Sequence, residues 1–250
     1  MSFPGVTKGF RYRTNSTVGG IASFDTTFHN TKIDKLDLPL YSADNINFIG
    51  SQIGELYAPN LSSVGNSFMK DNNSLSSCTI YKYQKGTNFT SFFENCSSLS
   101  SLPIESISTN EYTTTLLLSC NFLAKGMTAL SSVNLSIETA NSTSDITIMN
   151  AFANCTSLTR AVIHFNNLTD ETGLKMINGT KLFKNMFAYC PSLEKVELRG
   201  ITSIGSISNS NTYIGFVEIM NNTSANSQLW FPDVDLLTGT TRTSTIYQRF

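Results

Sequence analysis

The side chains able to carry reactive chemistry are few and scattered. There are two histidines, His29 and His164, and five cysteines, Cys78, Cys96, Cys120, Cys155 and Cys190. A nucleophilic site would combine His164 with Asp170 and one of many serines, but no G-x-S-x-G or comparable element accompanies them. The cysteines lie far apart, without the paired spacing of a zinc or redox centre. Asp233 and Asp235, in PDVD, offer oxygen ligands for weak calcium binding, but a charged turn accounts for them far better. The sequence has no H-E-x-x-H, no phosphate-cradling glycine loop and no paired carboxylate motif. We therefore expect no enzyme, no cofactor and no resident metal. The remaining chemistry is recognition, and it depends on how the chain presents its polar residues.

That presentation follows from a recurring apolar-x-x-apolar-x-apolar segment. It begins at Ile33 (IDKLDL), Ile53 (IGELYA), Leu75 (LSSCTI), Leu99 (LSSLPI), Leu130 (LSSVNL), Leu158 (LTRAVI) and Leu193 (LEKVEL). Each reads as one rung of a leucine-rich repeat, a short strand that points alternate side chains into a stack. Three inward columns result. The first is Ile33, Ile53, Leu75, Leu99, Leu130, Leu158 and Leu193; the second is Leu36, Leu56, Cys78, Leu102, Val133, Ala161 and Val196; the third is Leu38, Ala58, Ile80, Ile104, Leu135, Ile163 and Leu198. Stacking at a strand spacing of about 4.8 Å puts like on like and calls for a parallel ladder with crossover connections. One unit cannot bury its apolar edge alone, so the array predicts a solenoid with one continuous core.

The same register makes the outward columns readable. One runs Lys35, Glu55, Ser77, Ser101, Ser132, Arg160, Lys195; a second runs Asp37, Tyr57, Thr79, Pro103, Asn134, Val162, Glu197. A third includes Tyr81, Glu105, Ser136, His164 and Arg199. The exposed sheet face is thus the candidate binding surface, with Tyr57, Tyr81, Arg160, His164, Lys195, Glu197 and Arg199 as its candidate residues. It lacks the large apolar anchors of a tight protein interface.

A second signature precedes three of the rungs: FFENCSSL (Phe92–Leu99), AFANCTSL (Ala151–Leu158) and MFAYCPSL (Met186–Leu193). Weaker relatives are SFMKDNNSL (Ser67–Leu75) and FLAKGMTAL (Phe122–Leu130). An aromatic followed by x-x-C-x-S-L and an extended rung resembles the leucine-rich repeats of the BspA type, over roughly residues 33–200. The resemblance implies that the aromatic closes a short helical turn onto the strand stack and that C-x-S-L leads into the strand. Phe93, Phe152 and Phe187 would then share one core position, and Cys96, Cys155 and Cys190 would be small buried residues of a packed turn. The expected fold class is an α/β solenoid: a leucine-rich-repeat stack with a parallel sheet on one face, short helical or irregular turns on the other, and caps at both ends. The extra lengths around Glu105–Asn121 and Asn166–Lys184 are expected as bulges on the non-strand side. Residues 1–32 would form the N-terminal cap, 33–200 the array of seven rungs, and 201–250 a C-terminal cap. Trp230 would be packed in that cap or, as the less favoured alternative, stack a ligand, and Thr240–Phe250 would be either part of the cap or an arm that docks on a neighbour.

Composition narrows the setting. A formal net charge of -1 with 14% charged residues leaves no broad basic field for nucleic acid. No stretch is long and apolar enough to span a bilayer, so membrane insertion is not expected. The start, MSFPGVTKGFRYRT, lacks the apolar region of a secretory signal. Either a leader has been removed or the protein leaves its cell another way, and assembly into a virus particle released by lysis would be one such way. The expectation is a non-enzymatic structural or receptor-binding component of a bacteriophage virion, meeting virion neighbours or a host receptor and able to form homo-oligomers. The alternative, implied by the resemblance, is a bacterial cell-surface or extracellular adhesin, or a fragment of one, that binds host protein or glycan.

Overall fold

In the computed structural model the described residues are 10–11, 32–38, 48–62, 64, 66–86, 88–108, 117–138, 145–166, 181–200, 214–215 and 218–230. Most of both expected caps, the arm Thr240–Phe250, His29, Asp170, Asp233 and Asp235 lie outside them. Among the described residues the regular structure is strand, with no helix, and every strand pair is parallel. A first sheet orders β1 (Phe10–Arg11), β2 (Lys32–Asp37), β3 (Gln52–Ala58) and β4 (Ser77–Ile80). A second orders β5 (Tyr83–Lys85), β6 (Ser106–Ser108), β8 (Ser132–Glu138), β10 (Arg160–Asn166), β12 (Lys195–Arg199) and β14 (Gln228–Trp230). A third orders β7 (Leu117–Ser119), β9 (Asp145–Thr147), β11 (Lys181–Leu182) and β13 (Ile214–Gly215). From β6 to β14 the chain alternates strictly between the second and third sheets. Crossovers of this kind are what a parallel ladder demands.

The register agrees with the apolar columns where the alternation is cleanest. Ile33 pairs with Ile53 and Leu36 with Leu56 in the first sheet. In the second, Ala161 aligns with Val133 and Val196, and Ile163 with Leu135 and Leu198. All of these side chains are buried and belong to one core cluster. Like side chains stacked at strand spacing exclude water from both neighbours, at about 25 cal/mol per Å² of apolar surface.

The fourth rung departs from expectation. LSSLPI (99–104) forms no strand, because Pro103 has no N–H for a ladder. Leu99 and Ile104 stay buried, while Leu102 and Cys78, both expected in the central inward column, are only partly buried against the core. The strand of that repeat comes later, as β6. There the N–H groups of Glu105 and Ser106 both donate to the Lys82 carbonyl, at 2.9 and 3.1 Å. Two residues opposite one make a β-bulge, which shifts the pairing. The first sheet therefore ends at β4 and the second begins at β5. The stretch around Glu105–Asn121, expected on the non-strand side, contributes β6 to the second sheet and β7 to the third. Beyond residue 200 the second sheet continues into β14, where Leu229 pairs with Val196.

The aromatic-Cys segments are irregular turns and not short helices. The three, the two weaker relatives and a further turn at 218–222 each carry two residues of positive φ four positions apart: Ser67 and Asp71, Ser91 and Asn95, Phe122 and Gly126, Asn150 and Asn154, Asn185 and Tyr189, Glu218 and Asn222. A left-handed residue ends a right-handed helix, and Asn, Asp and Gly reach that conformation at least cost. Alternate N–H groups instead donate to the next turn. Ser67, Met69 and Asp71 donate to the carbonyls of Thr90, Phe92 and Glu94. Ser91, Phe93 and Asn95 donate to Asn121, Leu123 and Lys125; Phe122, Ala124 and Gly126 donate to Met149, Ala151 and Ala153. Asn150, Phe152 and Asn154 donate in turn to Lys184, Met186 and Ala188. A ladder from turn to turn thus satisfies backbone groups that the missing helix would have paired.

The side chains of these turns follow the same columns. Phe93, Phe152 and Phe187 are fully buried, and the rings of Phe152 and Phe187 stack at 5.4 Å with an 11° interplanar angle. Three thiols repeat one contact: Cys96 donates to the carbonyl of Met69 at 3.0 Å, Cys155 to Ala124 at 3.2 Å and Cys190 to Phe152 at 3.1 Å. The rung Leu after each of these cysteines then closes a tight turn, its N–H bonded to the Cys carbonyl three residues earlier, as in Leu99 to Cys96 at 3.2 Å; Leu75 and Leu130 make the same bond to Asn72 and Met127. Cys here is a small side chain that fills a gap and ties one turn to the previous one.

Candidate functional site

The outward side of β8, β10, β12 and β14 is where chemistry collects. Strand alternation turns residues 132, 134 and 136, then 160, 162 and 164, then 195, 197 and 199 away from the inward columns. Ser132, Arg160, Lys195 and Gln228 align across the four strands, as do Asn134, Val162, Glu197 and Trp230. Ser136, His164 and Arg199 form a third row.

Glu197 was expected to be exposed, and it is buried, at 3% exposure. Its neighbours cover it. Arg160 Nη2 lies 2.8 Å and Lys195 Nζ 3.0 Å from Oε1, while Arg199 donates Nη2 and Nε to Oε2 at 2.7 and 3.1 Å. The hydrogen bonds from Arg199, then from Lys195, outweigh the cost of desolvation and hold the carboxyl down at about 2. The cover consists of the cations themselves: the side chains of Arg160 and Arg199 are 56% and 46% exposed. Lys195 also sits over the Trp230 ring, 3.8 Å from its centroid, a cation–π contact worth about 0.5–1 kcal/mol at an exposed position. Trp230 is half-exposed on the sheet, and not packed in an apolar cap.

A shallow depression of about 330 Å³ opens beside this cluster, lined by Ser132, Val133, Asn134, Arg160, Val162 and Arg199. Arg160, Lys195 and Arg199 bring three positive charges to one carboxylate, so the patch keeps a surplus of positive charge. Such a patch can orient an anionic group and stack a planar or ring-shaped one.

The candidate residues separate into two groups. Arg160, Lys195, Glu197 and Arg199 come together as one ion cluster, and His164 is exposed in register with Arg199. Tyr57 and Tyr81 lie elsewhere, on and just after the first sheet, and both are half-exposed. Tyr83, absent from the sequence-based set, meets Tyr81 edge to face at 5.6 Å. Lys82 and Glu105 form an ion pair next to them. Trp230 was missed as a surface residue because Asn226 stands where a rung's first Leu would be; the spacing N-x-x-L to Leu229 was the available signal. Among the described residues no group of three or more His, Cys, Asp and Glu could hold a metal ion, and no helix is long and apolar enough to cross a membrane.

No protein-family model matches the chain, and comparisons with curated proteins and with solved structures give no match.

Proposed function

We propose that the chain is a non-enzymatic interaction protein, a leucine-rich-repeat solenoid of the BspA type whose outward sheet face and chain ends meet other macromolecules. The observation that carries this reading is the cluster of Arg160, Lys195, Arg199 and Trp230 around the covered Glu197, standing on the outward face of a regular parallel sheet. Half-exposed Tyr57, Tyr81 and Tyr83 add a second aromatic patch. Aromatic and guanidinium groups left at a surface are the residue types that binding surfaces favour. The repeat reading is supported by the equal registers of β8, β10 and β12 and by turns that hydrogen-bond from one to the next. In a solenoid each repeat contacts its neighbours alone and presents one long face.

The setting we propose is a bacteriophage virion, in which the protein is a structural or receptor-binding component. The alternative is a bacterial surface adhesin, and the cationic-aromatic face favours it in so far as it suits a host glycan or protein. Assembly separates the two. Light scattering should give a mass well above 27.5 kDa for the intact chain and a monomer for a chain lacking Thr240–Phe250. A monomer in both cases would refute the virion setting and leave the sheet face as the place of binding.

A further inference from the structure

We propose that the depression between Arg160 and Arg199 is a subsite for the carboxylate-bearing sugar of an acidic glycan. The inference deepens the proposed function and rests on the outward face being the binding face. Size comes first: about 330 Å³ is at the low end of small-molecule pockets, enough for a sugar ring and its substituents. Charge comes second. Glu197 engages Nη2 of Arg160 and Nε with Nη2 of Arg199, so among the described residues Nε and Nη1 of Arg160 and Nη1 of Arg199 stay available to a second carboxylate. Glu197 holds both guanidiniums in place and neutralises only part of their charge. A ligand anion therefore meets a preformed fork and does not have to order two long side chains.

The rest of the lining suits a sugar better than a peptide or a nucleic acid. The Ser132 hydroxyl and the Asn134 amide can each donate and accept, as ring hydroxyls require, and Val162 faces the C–H side of a ring. Trp230 stands in the same row as Asn134, three strands away, or roughly 14 Å at the usual strand spacing. That span exceeds one sugar ring, so the fitting ligand is an oligosaccharide with its acidic residue at Arg160 and a later residue against the half-exposed indole. Nucleic acid would need a broader basic field than three cations around a carboxylate on a chain of net charge -1.

Titration of the full chain with trigalacturonate, followed by NMR, tests this. The expected result is shifts of the Arg160 and Arg199 side-chain N–H signals and of the Trp230 indole N–H, with little response to the fully methyl-esterified trisaccharide. Arg160→Gln should weaken binding at least about tenfold, the worth of one charged hydrogen bond. Asn134→Trp keeps every charge and fills the depression from an exposed strand position, and it should abolish binding. The proposal is overturned if trigalacturonate does not bind, if neither variant weakens it, or if a triglutamate peptide or inorganic phosphate binds as well. Failure here together with assembly of the intact chain in light scattering would remove the sugar subsite alone and leave the interaction role standing.

Discussion

Replacing Glu197 with Gln keeps the shape of the side chain and removes the charge that three cations share. A fall of the carboxyl from about 4.3 in the unfolded chain to about 2 corresponds to about 3 kcal/mol at neutral pH. Water reaches Arg160 and Arg199 freely, and screening reduces that figure to about 1–2 kcal/mol. Because folding depresses this group's pKa, its contribution is complete above the unfolded value and is lost as pH falls through about 2. Thermal unfolding followed by circular dichroism should place the Tm of Glu197→Gln about 2–8 °C below wild type at pH 7. The gap should narrow below pH 4 and close near pH 2. An equal gap at every pH, or a more stable variant at pH 7, would refute the view that the carboxylate organises the cluster.

Phe187→Ala empties a fully buried position and removes the stack on Phe152, so it should destabilise by about 3–5 kcal/mol; a double-mutant cycle with Phe152→Ala should show coupling of about 0.5–1.5 kcal/mol in urea unfolding. Burial pushes the thiols of Cys96, Cys120 and Cys190 up to about 12 and raises that of Cys155 as well. A thiol reagent at pH 8 should therefore leave these four unlabelled in the native protein; burial raises Cys78 as well, so all five should react slowly, and partial exposure alone sets Cys78 ahead of the rest.

Legibility followed the alternation of side chains. In β8, β10 and β12 the apolar residues recur at every second position, and a slip of one residue would have turned the whole set outward. Their register was therefore legible to the residue. The fourth rung matched the same apolar template, but a strand also needs backbone donors, and Pro103 lacks one. The turns illustrate another limit. An aromatic and a Cys at fixed spacing mark a compact turn, whereas five of the twelve left-handed residues that exclude helix are Ser, Phe, Tyr or Glu, types that do not announce that conformation. Their conformation comes from hydrogen bonds to the adjoining turn, which no local window contains. Glu197 lies on an outward column and is buried because Arg160 and Arg199 fold over it, and such lateral contacts appear only once strands are aligned.

The claim on which the account depends most is that successive turns and strands form one hydrogen-bonded repeat stack. Residue-resolved hydrogen exchange tests it directly, because the turns contain neither helix nor strand among the described residues. The account predicts slow exchange at the ladder donors Met69, Phe93, Ala124 and Phe152, comparable to the strands β8 and β10. Exchange at these positions as fast as in unstructured loops, beside protected strands, would contradict it.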